Sequence, residues 1–226
     1  MIRLEKENPL VSIITPCYNG ENVMHRLLDS ILSQTYSNIE FILINDGSTD
    51  HSEEIWYQYE KKFNEKGIKT IYIHQRNQGL GAAINAGLKV FTGDYLCWPD
   101  IDDYFEDTSV EKRVNFLETH KEYGSVSSDA NQYMEDNLSE PVGTMASWLK
   151  HKEDEWQFEW LLKGQSLFRP GCHMLRTTSF LDVNPDRYIY PARRGQNNQM
   201  LLPIYYKYKH DYYYYCYCYC KYFFHV

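Results

Sequence analysis

Four short runs of β-branched and aromatic residues, VSIIT (11–15), FILIND (41–46), TIYIH (70–74) and YLCW (95–98), alternate with segments of helical character. Val23, Leu27 and Ile31 repeat at i, i+4, with Met24, Leu28 and Leu32 beside them. Asp50, with Glu53 three residues on, reads as a capping box opening a helix through about Phe63. GLGAAINAGLKV (79–90) and TSVEKRVNFLETH (108–120) read as two further helices. Strand and helix alternate four times, which predicts an α/β fold with a mainly parallel central sheet flanked by helices. Pro16 cannot donate to a ladder and predicts the end of the first strand.

Ligands on such sheets bind beyond the carboxyl ends of the strands. Polar clusters stand at those ends: Pro16 to Asn19, Asp46 to Ser48, Arg76 with Asn77, and Asp100 to Asp103. Four clusters at equivalent topological positions are hard to explain by fold alone. The last is the sharpest, because YLCWPDIDDYF (95–105) places three acids where a core strand surfaces, without one basic residue among them. Two unit charges about 4 Å apart repel by roughly 4 kcal/mol at an effective dielectric of 20.

The chain has 226 residues, a net charge of −8 and a mean hydropathy of −0.60. That reads as soluble and globular, and it argues against a general nucleic-acid binder. No apolar run approaches the roughly 20 residues that span a bilayer, and MIRLEKENPL lacks a signal-peptide core. Cys17, Cys97 and Cys172 are isolated and read as small buried hydrophobes, which fits a reducing cytoplasm.

After about residue 124 the pattern loosens. Residues 147–164 suggest one or two amphipathic helices, RPGCHMLRTTSF a turn then a strand, and the segment after Gly195 a helix kinked at Pro203. No Gly-, Pro- or Ser-rich linker interrupts the chain, and no internal repeat is present. One domain over 1–211 is expected, with a ligand-binding half over about 1–103 and a second half over about 104–211. Residues 212–226, YYYYCYCYCKYFFHV, are a low-complexity Tyr/Cys tail. Three readings of it stay open: a repetitive or frameshifted coding stretch, an edge strand, or a thiolate metal cluster whose spacing matches no common zinc pattern.

VSIITPCYNGENVMHRLLDSILSQTYSNIEFILINDGSTD, followed by NQGLGAAINAGL and YLCWPDIDDYF, resembles the family 2 glycosyltransferases of GT-A fold, the type that builds bacterial surface polysaccharides. The resemblance is strong over roughly residues 9–125 and weaker to about 210. It implies an inverting transfer of sugar from a nucleotide-sugar donor, with UDP expected, to a glycan or lipid-linked acceptor. It also implies a divalent metal, Mn²⁺ or Mg²⁺, and a cytoplasmic site of action, with a peripheral membrane contact through the acceptor. By the resemblance Pro16, Tyr18 and Asn19 line the nucleobase pocket, and Asp46 accepts from a base N–H. Gly47 and Ser48 let backbone approach the ligand, Arg76 and Asn77 lie near the nucleotide, and Asp100 contacts ribose or sugar. Asp102, with Asp103, holds the metal of a DXD motif.

The chain departs from the family at the catalytic base. In many relatives an Asp at the start of a late helix takes the acceptor proton. The matching position here is Asn197 in RRGQNNQMLLP, and an amide is no base near neutral pH. The base is therefore unassigned, with Asp186, Asp182 and Glu159 as candidates; Arg193 and Arg194 stand as alternative phosphate ligands, and His173 as either a base or, in preference, a buried strand residue. A catalytically weak nucleotide-sugar-binding protein is the alternative. A nucleotidyltransferase is disfavoured because no glycine-rich basic loop follows the first strand.

Overall fold

The structure is a computed structural model that describes residues 8–133, 139–166, 169–192 and 194–221. In chain order the elements are β1 (Val11–Cys17), α1 (Met24–Leu32), β2 (Ile39–Asn45), α2 (Ser52–Glu65), β3 (Lys69–His74), α3 (Leu80–Val90), β4 (Tyr95–Cys97), β5 (Tyr104–Phe105) and α4 (Ser109–Thr119). The second half adds β6 (Tyr123–Tyr133), β7 (Gly143–Thr144), α5 (Phe158–Leu162), β8 (His173–Arg176), α6 (Thr177–Val183), α7 (Gln196–Lys207) and β9 (Lys209–Lys221). Short 3₁₀ turns lie at Met145–Trp148 and Pro170–Cys172.

One sheet runs in the order β3-β2-β1-β4-β8-β6-β9-β5, with β7 paired to β6. β1 to β4 are mutually parallel, as the alternation predicts. β8 enters antiparallel between β4 and β6, so β6 again points the same way as β4. Both faces are covered. Val11, Ile13, Phe41 and Leu43 pack under α1, α2 and α4, while Ile14, Ile42, Ile44 and Leu96 pack under α3 and α7. Alternate residues of each strand thus serve two cores, and burial on both sides explains why the runs read as continuously apolar. Cys17, Cys97 and Cys172 are buried and form no disulfide among the described residues.

Three sequence expectations need correction. β1 does not stop at Pro16 but continues through Cys17, with Pro16 level with Ile44. Val11 N–H donates to Asn38 and Cys17 C=O accepts from Asp46, so odd residues bond toward β2. Even residues face β4, whose pairing ends at Ile13, so no partner asks for the N–H that Pro16 lacks. At α2, Asp50 forms no capping box with Glu53. Its Oδ1 accepts from Ser52 N–H at 3.0 Å, its Oδ2 accepts from Glu21 N–H at 2.9 Å, and Glu53 turns to Tyr72. Over 147–164 only Met145–Trp148 and Phe158–Leu162 coil. Asp154 accepts from Trp156 N–H and Trp160 Nε1, and Gln157 bonds back to His151 C=O. These local bonds replace the helical ladder.

The Tyr/Cys tail continues β9 through Lys221, parallel to β6 and antiparallel to β5. Residues 222–226, and the cysteine side chains on which a thiolate cluster would depend, lie outside the described residues.

Candidate functional site

The carboxyl ends of β1, β2 and β3 are stitched together by polar side chains. Asn19, in the left-handed region at φ 51, accepts Thr49 N–H on its Oδ1 at 2.8 Å, and its own N–H donates to Ser48 Oγ at 3.0 Å. Ser48 N–H in turn donates to Asn45 Oδ1 at 2.8 Å. Beside this knot Tyr18 is 53% exposed and stacks on no ring among the described residues, and Pro16 is half-buried. An aromatic face is thus presented at a rigid strand end.

Asp46 is buried and works as a latch. Its Oδ1 accepts from Gln75 Nε2 at 2.7 Å and Gln78 N–H at 2.9 Å, and its Oδ2 accepts from Gly79 N–H at 2.8 Å. A carboxylate has about four acceptor directions, so one stays available on Oδ2. Gly47 has φ +74, and a Cβ there would stand 2.7 Å from Asn77 N, so the β2 and β3 ends touch backbone to backbone. Arg76 and Asn77 on the same loop are exposed and make no hydrogen bond or ion pair among the described residues.

In the Asp100–Asp103 turn the acids divide. Burial and the neighbouring charge of Asp102 push the Asp100 pKa up to about 7, against the pull of Arg169. Asp103 is buried; its Oδ2 accepts Asp100 N–H at 3.2 Å, and Gly171 packs so closely that a Cβ would lie 2.7 Å from that oxygen. Asp103 therefore closes the turn, and Asp100 with Asp102 forms the half-buried acid pair. Among the described residues no group of three His, Cys, Asp or Glu side chains is arranged to hold a metal. Two neighbouring acids, the pKa of Asp100 raised by burial and by the charge of Asp102, fit a hard cation that completes its shell with phosphate oxygens and water.

α7 brings its first turn to the same edge. Gly195 is left-handed at φ 86, and Asn197 Oδ1 accepts the indole N–H of Trp98 at 3.1 Å. The acids proposed as base lie elsewhere. Asp182 pairs with Lys207 and Tyr208 at the far end of α7, about 15 Å from Asn197 at 1.5 Å per residue. Glu159 pairs with Lys163, and its neighbour Phe158 meets Tyr206, again at that far end. Asp186 precedes Arg187, which bonds Phe91 C=O just past the C-terminus of α3, the end opposite Gly79. None is within reach of the strand-end edge. His173 is buried as expected, stacked on Trp98 at 5.9 Å, and burial holds its pKa down at about 3, with Arg113 adding to the effect. Arg194 is exposed; Arg193 lies outside the described residues.

Two residues were missed from sequence. Arg169 acts on Asp100 from a turn 69 residues away, with no local signal. Trp98 reads only as strand apolar bulk, and its indole partner is 99 residues distant.

Residues 12–183 match the model of glycosyl transferase family 2. An uncharacterized glycosyltransferase of Rickettsia prowazekii is 44% identical over 110 residues, which is 49% of this chain but only 32% of that protein. The chain thus spans about a third of the length of this relative. The structure of S. aureus TarS 1–349 in complex with UDP-GlcNAc superposes with a TM-score of 0.74 at 19% identity, over 96% of this chain and 60% of that one. A mannosyltransferase from Pyrobaculum calidifontis in complex with GDP-Man and Mn²⁺ superposes with a TM-score of 0.65 at 15% identity, over 95% and 57%. The fold is that of the GT-A glycosyltransferases, and the chain belongs to glycosyl transferase family 2.

Proposed function

We propose that this chain transfers a sugar from a UDP-linked donor to a hydroxyl of a glycan or lipid-linked acceptor, with inversion at the anomeric carbon. The observation that carries the reading is the single strand-end edge on which Tyr18, Asp46, Arg76 and the Asp100–Asp102 pair converge. In this reading Tyr18 packs on the base beside Pro16 and Asn19. The remaining acceptor direction on Asp46 takes a base N–H, while Gly47, Ser48 and Asn77 keep backbone close to the ribose. Arg76 reaches phosphate, with a guanidinium that nothing else among the described residues occupies. The relatives with UDP-GlcNAc and with GDP-Man and Mn²⁺ support a nucleotide-sugar donor.

Asp100 and Asp102 are the residues that would hold a Mn²⁺ or Mg²⁺ ion. When bound, such an ion supplies positive charge against the departing diphosphate. The acceptor oxygen forms the new bond to the anomeric carbon as the bond to the β-phosphate oxygen breaks, and the acceptor's proton goes to a base other than position 197. Action at the cytoplasmic face of a membrane, through the acceptor, belongs to the same reading. No helix among the described residues is long and apolar enough to cross a bilayer.

A second reading, a nucleotide-sugar-binding protein with little turnover, rests on the amide at Asn197 and on the distance of Asp182, Glu159 and Asp186 from the edge. A panel of UDP- and GDP-sugars with Mn²⁺, followed by thermal shift and by released nucleotide, separates the two. Stabilisation with nucleotide release supports the transferase, and stabilisation without release favours the binder. Pyrophosphate release would mean a nucleotidyltransferase instead.

A further inference from the structure

The indole of Trp98 fixes which way the Asn197 amide points. An indole N–H only donates, so the amide must turn its oxygen to Trp98 and its NH₂ group away. Neither side of this contact is loose. Trp98 is 1% exposed and stacked on the buried His173 at an interplanar angle of 14°. The backbone of Asn197 is held by the left-handed Gly195 and by buried Gln196, whose side-chain amide bonds Ala192 C=O. Asn197 is half-buried, and its Nδ2 group makes no hydrogen bond among the described residues. That group is two N–H donors without a partner among the described residues, set at the same sheet edge as the acids through Trp98, which stands two residues before Asp100.

Its neighbours locate what it would meet. The base and ribose side of the edge is built by β1, β2 and β3; the acid pair follows at β4. The loop leading into α7 crosses the first turn of α3, where Gly81 lies directly against Pro191. Asn197, bonded to Trp98 at the β4 end, therefore stands beside the acid pair, where the group attached to the diphosphate must extend. We infer that Asn197, held in one orientation by Trp98, donates through Nδ2 to an oxygen of the transferred sugar and so selects the donor. This rests on the UDP-sugar reading above. It makes position 197 a sugar-binding residue of opposite hydrogen-bonding sense to a base.

The test uses two variants, Asn197→Asp and Asn197→Leu. Asp keeps an oxygen for the Trp98 N–H and suits the first turn of a helix, so folding is preserved. It turns the outward donor into an acceptor. Leu removes the donor without adding charge. The probes are UDP and whichever UDP-sugar of the panel wild type hydrolyses fastest. The ratio of the two affinities cancels any effect of the new charge on the diphosphate. We expect that ratio, and kcat/KM for donor hydrolysis, to fall at least about tenfold in Asn197→Asp, with a similar fall in the Leu variant. An unchanged ratio in a folded Asn197→Asp protein overturns the inference and leaves Asn197 as a partner for the indole alone. A gain of turnover in Asn197→Asp, with a new acid limb in its pH profile, overturns it in the other direction and marks a lost base. A wild type that binds neither UDP nor any UDP-sugar overturns the donor assignment beneath it, and it does so before any substitution is made.

Discussion

The carboxylate of Asp46, at the end of β2, accepts the backbone N–H of Gly79, at the start of α3, at 2.8 Å. With Gln75 and Gln78 on its other oxygen, this one side chain holds the whole β3–α3 loop against the β2 end. Asp46→Ala leaves those donors without their charged acceptor. We expect a loss of about 2–4 kcal/mol in unfolding free energy and a larger loss of UDP affinity than of stability, since Arg76 and Asn77 ride on that loop. Denaturant unfolding and UDP titration on the same preparation check both. An affinity unchanged in the folded variant would remove Asp46 and its loop from the nucleotide site.

Gly47→Ala asks a β-carbon to sit 2.7 Å from Asn77 N while the backbone stays at φ +74. A destabilisation of about 1–3 kcal/mol follows from strain alone. Because the contact lies between the β2 and β3 ends, the loops proposed to bind the nucleotide should separate, and calorimetry with UDP should read a weaker complex.

The first half of this fold was legible because each element carries its own pattern. Val11 to Thr15 and Phe41 to Asn45 are apolar on both faces, and α1 repeats at i, i+4. β6 was not legible. YGSVSSDANQY has the composition of a loop, yet Ser125, Ser127 and Ser128 are fully buried. Their hydroxyls are satisfied by His210 Nδ1 at 2.8 Å, by His173 Nδ1 and by Cys172 C=O at 3.3 Å, partners 44 to 85 residues away. A polar strand can enter a core when such partners exist, and nothing local announces them. The site divides in the same way. The strand-end clusters could be read from position, whereas the inward turn of Asp103 and the bond from Trp98 to Asn197 depend on chain far removed in sequence.

Glu40 offers a pH test. Its side chain is fully buried, which by itself would raise its pKa; hydrogen bonds from Ser12 Oγ, Thr92 N–H, Lys69 Nζ and Thr92 Oγ1 outweigh that and hold it below the usual Glu value. A depressed pKa in the folded state means the stabilisation is present above the unfolded value, roughly 4.3, and is lost as pH falls through the folded one. Wild-type stability should therefore decline on acidification below about pH 4.3. Glu40→Gln should be less stable by about 2–4 kcal/mol at pH 7 and show a shallower acid decline. Urea midpoints across pH for the two proteins decide the matter; parallel curves would mean Glu40 does not carry the acid sensitivity.

Asp102→Asn keeps the side chain's size and removes its charge. With the repulsion on Asp100 relieved, the ligand-free protein should lose no stability. Turnover should fall at least about 100-fold in kcat/KM, roughly 2.7 kcal/mol of transition-state stabilisation, and UDP affinity should lose its Mn²⁺ dependence. If UDP binds the variant with the same Mn²⁺ dependence as wild type, Asp102 holds no metal.

A stop after Asp211 removes β9 from beside the outer half of β6 and takes away the ladder partner of β5. None of the strand-end residues of the proposed nucleotide site lies on β9. The truncated chain should melt lower and self-associate through the bared β6 edge, while binding UDP as wild type does. Light scattering and UDP titration read the two halves of that expectation; a large loss of UDP affinity in a monomeric, folded truncation would contradict it.

The antiparallel insertion of β8 between β4 and β6 has a consequence for synthesis. The outer edge of β4 is covered by Tyr95 pairing with Arg176 and Leu96 with Leu175. On a ribosome adding about 5–20 residues per second, the chain between those partners takes roughly 4–16 s to appear. During that interval β1 to β4 can assemble, with one flank carrying unsatisfied backbone donors and acceptors. That nascent sheet is what a chaperone would meet, and its exposure ends when four residues, His173 to Arg176, slide into place.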